Sequence, residues 1–153
     1  MQFDTNTISA DFSARRKITE ALKGSFRRQN NGLYKFVHRG VVNWPTFDFT
    51  THDVAVSISM SQLSIFRVSV GLSLNLEIDM FSALKSGSDE LDDEIADNMI
   101  RDVSLVLLDL KKAVDTDGKP VILRLDHSST QAVEIIDIEK QVQGLALTAP
   151  IEY

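Results

Sequence analysis

The stretch Phe66-Arg67-Val68-Ser69-Val70-Gly71-Leu72-Ser73-Leu74-Asn75-Leu76-Glu77-Ile78-Asp79-Met80 decides the fold. Every even position is apolar, and every odd position is polar, charged or glycine. A strict period of two marks a β-strand with one buried face. Burying these side chains contributes roughly 12–24 kcal/mol, an upper bound because the unfolded chain already hides part of that surface. A one-residue slip would carry Phe66, Val70 and Leu74 into water, so register is fixed. Read as one strand, the stretch spans about 50 Å, against a domain diameter of about 40 Å. It therefore bends, with Gly71 as the natural bulge, or it projects an unpaired end that needs a partner.

Upstream, Asp53 to Met60 alternates in the same way, with Val54, Val56, Ile58 and Met60 inward and Ala55, Ser57 and Ser59 outward. A turn near Ser61-Gln62 would make the two strands a hairpin. Leu33 to Val42 reads as a first strand, with Tyr34, Phe36 and His38 on one side. Between them lies a loop, residues 43–52, holding Trp44, Phe47 and Phe49. Pro45 pushes Trp44 toward extended backbone. The three aromatics anchor the loop in the core or serve as interface anchors.

A first helix is expected from Asp11 to Gln29, capped by Asp11 or Ser9, with Ala14, Ile18, Ala21, Leu22 and Phe26 on one face. Asn30-Asn31-Gly32 ends it with residues that tolerate left-handed backbone. Its outer face is basic: Arg15, Arg16, Lys17, Lys23, Arg27 and Arg28 against Glu20 alone. A second helix is expected from Asp89 to Val114, with Ser86 or Ser88 as cap. Its acidic start includes Asp92, Asp93 and Asp97, and early acidic residues complement the helix dipole. Val103 to Leu110 is apolar nearly all round, so it needs cover on more than one side, from the first helix or a neighbouring subunit. Three strands follow: Val121 to His127, Ala132 to Glu139 and Val142 to Tyr153. Pro150 places the last at an edge, or ends it there. The fold class is α+β, a mainly antiparallel sheet with two helices packed on it, in the order α-β-β-β-α-β-β-β. Residues 1–153 form a single domain, with residues 1–10 as an arm or tail.

The chain carries net charge −6 and no cysteine. Acidity makes it a poor general nucleic-acid binder. The missing cysteines exclude disulfides and thiolate metal sites and fit a reducing cytoplasm. No apolar run is long enough to span a membrane, and Met1-Gln2-Phe3-Asp4 does not read as a signal peptide. No phosphate loop, nucleophile elbow or metal-binding histidine spacing occurs. Asp126-His127-Ser128 is the best enzymatic candidate, but neighbouring strand residues diverge, so it reads as a turn. Asp92, Asp93 and Asp97 lack the carbonyl-rich loop of a calcium site. The expectation is no catalytic residue, no metal and no cofactor: a binding or assembly module.

The order of elements, the strand Leu72 to Ile78, the Ser/Asp/Glu-rich lead from Ser86 to Asp93, the helix from Met99 to Val114 and the closing strand Leu145 to Tyr153 resemble the tail terminator proteins of long-tailed bacteriophages. The resemblance covers nearly the whole chain, through pattern and order rather than a signature. It implies a homohexameric ring on the last ring of the tail tube, ending tube growth and meeting the neck or connector proteins. It implies residence at the head-proximal end of the virion tail after assembly in the host cytoplasm. Arg27, Arg28, Asp92, Asp93 and Asp97, with Trp44, Phe47 and Phe49, are then interface candidates. Glu77 and Asp79 would line a lumen through which DNA slides without specific binding. Two other readings stay open: a neck or head-closure connector, and a monomeric cytoplasmic binding domain or enzyme.

Overall fold

The computed structural model describes residues 8–40, 54–67, 71–84 and 92–153. The order is α1 (Ala14–Arg28), β1 (Phe36–Arg39), β2 (Val54–Arg67), β3 (Gly71–Ala83), α2 (Asp93–Lys112), β4 (Arg124–Leu125), β5 (Gln131–Asp137) and β6 (Val142–Glu152). The fold is α+β. A six-stranded sheet runs β1-β2-β3-β6-β4, with β5 also pairing β6. Only β1 and β2 are parallel; the other pairs are antiparallel.

The alternating stretch is not one strand. Its first residues, Phe66 and Arg67, end β2, and β3 starts afresh at Gly71, which pairs with Arg67. The residues between, 68–70, lie outside the described ones, as does the loop of Trp44, Phe47 and Phe49. Period two continues across the reversal, so the pattern hides it, and the length argument for one projecting strand falls away. Ser61-Gln62 is not the turn either. There β2 runs on with a register shift between Ser61 and Ser64, an extra residue absorbed as a bulge.

The buried side of the sheet follows the expected parity. Val54, Val56, Ile58, Leu74, Leu76, Ile78 and Met80 are buried beneath the helices, while Met60 is partly exposed and Leu72 is exposed. From β6, Leu145, Leu147, Ala149 and Ile151 join this core, and α1 adds Ile18, Leu22 and Phe26. Two residues expected to face water do not. Ala55 pairs with the buried Phe81, and the Ser57 hydroxyl donates to the Gly40 carbonyl.

Helix ends differ from the sequence reading. Ser13, not Asp11 or Ser9, caps α1, its hydroxyl accepting from Arg16 N. Asp92 caps α2, accepting from Glu94 N and Ile95 N; Ser86 and Ser88 lie outside the described residues. The exit from α1 runs as expected through left-handed Asn30, Asn31 and Gly32. Ile8 is buried, its carbonyl accepting from Thr116 N, so the tail is tied down from there on.

Of the expected strand Leu33 to Val42, residues 41–42 lie outside the described ones, and β1 begins only at Phe36, which frees Tyr34 from strand alternation and lets it turn under the helices. The expected strand Val121 to His127 shrinks to β4, because Asp126 caps a short turn over His127–Ser129.

Pro150 is not at a sheet edge: β6 lies between β3 and the β4/β5 side. Tyr153 and Leu72 exchange both backbone hydrogen bonds. By alternation, odd residues of β6 bond to β3 and even ones point the other way. The missing donor of Pro150 therefore faces the gap between Thr148, the last residue of β6 paired with β5, and Ile151, the first paired with β4. Gly144 is also required. A Cβ there would lie 1.9 Å from the Met80 carbonyl oxygen.

Candidate assembly surfaces

The sheet face away from the helices is polar in its middle, with Ala55, Phe81 and the exposed Val133 on the same face. Cross-strand pairing builds a row Ser59–Glu77–Thr148–Gln131 and, beside it, Ser57–Asp79–Ala146–Val133, and paired residues share a face. Glu77 and Asp79 thus stand together on this face, both partly exposed. Glu77 is held in place: its two carboxylate oxygens accept from Ser59 Oγ at 3.1 Å and Ser61 Oγ at 3.3 Å. Asp79 has no hydrogen-bond partner among the described residues. Partial burial, and next the charge of Glu77, raise its pKa above the ordinary carboxylate value. Two neighbouring carboxylates on a serine-lined surface, with no ion-pair partner among the described residues, make that face acidic and weakly adhesive toward polyanions.

On the helix side, α1 and α2 run antiparallel, and polar contacts tie the two helices and the segments that follow them. Tyr34 donates to Asp102 Oδ2 at 2.5 Å, and Asn30 Nδ2 donates to the same oxygen at 3.3 Å. Burial, and next that bond to Asp102, push the Tyr34 hydroxyl far above the usual phenol range. Further along, Ser25 Oγ donates to Asp109 Oδ2 at 2.6 Å, and Arg28 lies 3.6 Å from it. At the far end Lys17 bonds Asp115 at 2.8 Å. A groove of about 450 Å³ lies between these helices, and Arg28 and Asp109 line it.

Of the expected charge partners, Arg28 is therefore already engaged within the chain. Arg27 forms no ion pair among the described residues. Asp92 caps its own helix, and its backbone N–H donates to Gln143 Oε1. Asp93 and Asp97 are exposed on α2. None of the three acidic residues meets Arg27 or Arg28 within the chain. The structure does not bring Asp126, His127 and Ser128 together as a triad. Asp126 Oδ1 accepts from Ser128 N and Oγ. These bonds, led by the one from the Ser128 hydroxyl, lower the Asp126 pKa. His127 Nε2 lies 2.9 Å from Lys111 Nζ. No group of His, Asp and Glu among the described residues could hold a metal ion, and no described helix is long and apolar enough to cross a membrane.

The apolar half of α2 is only partly covered. Val103, Val106, Leu107 and Leu110 are buried, but Ile100 (39%), Leu105 (42%) and Leu108 (45%) are not. Val133, Ile136 and Leu123 are exposed along β5 and the approach to β4. Sequence reasoning found the shortage of cover on α2. It missed Asp102 and Asp109, which turn one side of that helix toward α1. Their seven-residue spacing, two helical turns within an apolar run, was the available signal.

No protein-family model matches this chain, and no curated protein matches its sequence.

Proposed function

We propose that this chain is a structural assembly protein of a phage tail: a tail terminator whose subunits close into a ring, most simply a homohexamer, at the head-proximal end of the tail tube. The observation that carries the reading is the division of one sheet. The sheet face away from the helices holds the Glu77–Asp79 pair among serines, while apolar side chains stand uncovered on α2 and on β5. A channel wall needs that division: a face that repels DNA phosphates and flanks that bury on association. A ring also needs two different surfaces per subunit, one offered and one received. In this role the chain uses no catalytic residue and no cofactor. It binds the tube protein and the neck or connector proteins, DNA passes its lumen without sticking, and it is assembled in the host cytoplasm.

The test is solution mass by light scattering, followed by negative-stain imaging with purified tail tubes. Decoration confined to one tube end supports the terminator role. Binding to DNA-filled heads instead would make it a neck protein, and a strict monomer that ignores both would overturn the assembly reading.

A further inference from the structure

The helix layer leaves one strand bare, and the pairing shows which of its side chains look toward that layer. Gln143 points to the helix side, because its Oε1 accepts from Asp92 N at the start of α2. Its partner Ile136 shares that side, as do Glu134 opposite Leu145 and Ala132 opposite Leu147. All three β5 residues are exposed. The facing flank of α2 is marked by Lys111, in contact with His127 of the β4–β5 connection. Asp93, Asp97, Ile100, Ser104, Leu108 and Lys111 follow one another at three- and four-residue steps and so share that stripe. On the opposite flank, Asp109 holds Ser25 of α1, and Asp102 holds Tyr34 in the segment after α1. Between α2 and β5 there is thus a slot with Ile100, Ile136 and Ala132 along its walls and Asp93, Asp97 and Glu134 at its rim.

We infer that this slot receives the outer face of α1 from a second copy of the chain. On that face Arg16, Lys23 and Arg27 line up along the helix at steps of seven and four, a stripe that stays net basic with Glu20 between the first two and with Arg16 over the Phe12 ring at 3.8 Å. None of the three forms an ion pair among the described residues. The charges are complementary: an acidic rim on one surface and a basic stripe on another. The chemistry of fit is also complementary, because arginine and lysine lay aliphatic stems on apolar side chains while their heads reach outward to carboxylates. Within the chain, α1 already makes the same kind of contact, Arg28 with Asp109 of α2 and Lys17 with Asp115 just beyond it. A second α1 on the other flank of α2 would continue the helix layer over β5. Donor and receiving surfaces differ, so the contact is heterologous and propagates from copy to copy until it closes. The inference rests on the proposed assembly role only for the ring in which it closes.

Sedimentation velocity at low salt tests it. The wild-type chain self-associates, and Lys23→Glu with Arg27→Glu weakens this on the order of ten- to a hundredfold, as does Asp97→Lys with Glu134→Lys. Mixing the two variants restores association. Each contact in the mixture then joins opposite charges, but only between unlike copies, so the mixed assembly has an even number of subunits. Rescue also shows that both variants are folded. A wild-type monomer at low salt, unchanged association in either variant, or failure of the mixture to recover overturns the docking. One-ended tube decoration by a protein that passes none of these tests leaves the terminator role standing without this contact. Rescue without tube binding leaves the contact and removes the role.

Discussion

Replacing Tyr34 by phenylalanine removes one oxygen from the centre of the helix–sheet junction and little else. The ring is buried and packs edge-on against Phe26, with centroids 5.3 Å apart, and phenylalanine keeps that contact. What is lost is the 2.5 Å bond to Asp102, a residue only 3% exposed. Asn30, at 3.3 Å, and Arg101, at 3.8 Å from the other oxygen, remain as weaker partners. A hydrogen bond to a charged, buried acceptor contributes about 1.5–3 kcal/mol, and losing it leaves the carboxylate under-satisfied. The expected loss is about 2 kcal/mol, or about 4–8 °C in Tm for a domain of this size. Urea unfolding should show a lower midpoint at unchanged slope. In a cycle with Asp102→Ala the two losses should be clearly less than additive. A loss below about 0.5 kcal/mol, within the range of ordinary surface substitutions, would refute the argument that this bond ties α2 to the α1–β1 turn.

Gly144→Ala should be among the most damaging single-methyl additions, about 3 kcal/mol or more, because the new Cβ falls 1.5 Å short of the 3.4 Å at which ordinary contact begins and meets backbone, not a movable side chain. Near-native stability, with unchanged amide protection in β6, would show that the strands part easily there. The Asp115 carboxyl is held below its ordinary 3.8 first by the bond from Lys17, then by the Lys119 N–H. Its stabilising contribution is therefore present above that value and lost as pH falls below it. Lys17→Met should flatten the acid limb of a urea-midpoint series between about pH 5 and pH 3; parallel curves for the two proteins would contradict the assignment.

The sequence made some elements plain and concealed others for identifiable reasons. The parity of Leu74, Leu76, Ile78 and Met80 was legible because one face is buried and the other is not. The hairpin inside Phe66 to Met80 was not, because both strands keep the same alternation through the reversal. Ser61-Gln62 has turn composition, yet the ladder absorbs it as a bulge. Pro150 suggested an edge by a rule that assumes one continuous neighbour on each side. Two short neighbours with a gap between them meet that rule on an interior strand. Glu77 and Asp79 could be placed on one face, opposite the core, from alternation alone. The pairing of Arg28 with Asp109 could not, because it depends on how two helices pack.

The central position of β6 bears on how the chain is made. Residues 142–152 supply the partner for all of β3 from Ser73 onward and for β4 and β5 together. During synthesis, everything upstream leaves the ribosome before that partner does. The β2–β3 hairpin must then wait, with one long side open, for a strand encoded about sixty residues later. A nascent chain in that state offers its open side to any other strand nearby. Slow translation or a stop codon shortly before residue 142 would therefore be felt as aggregation in the cell, even though every residue of both helices had already been made.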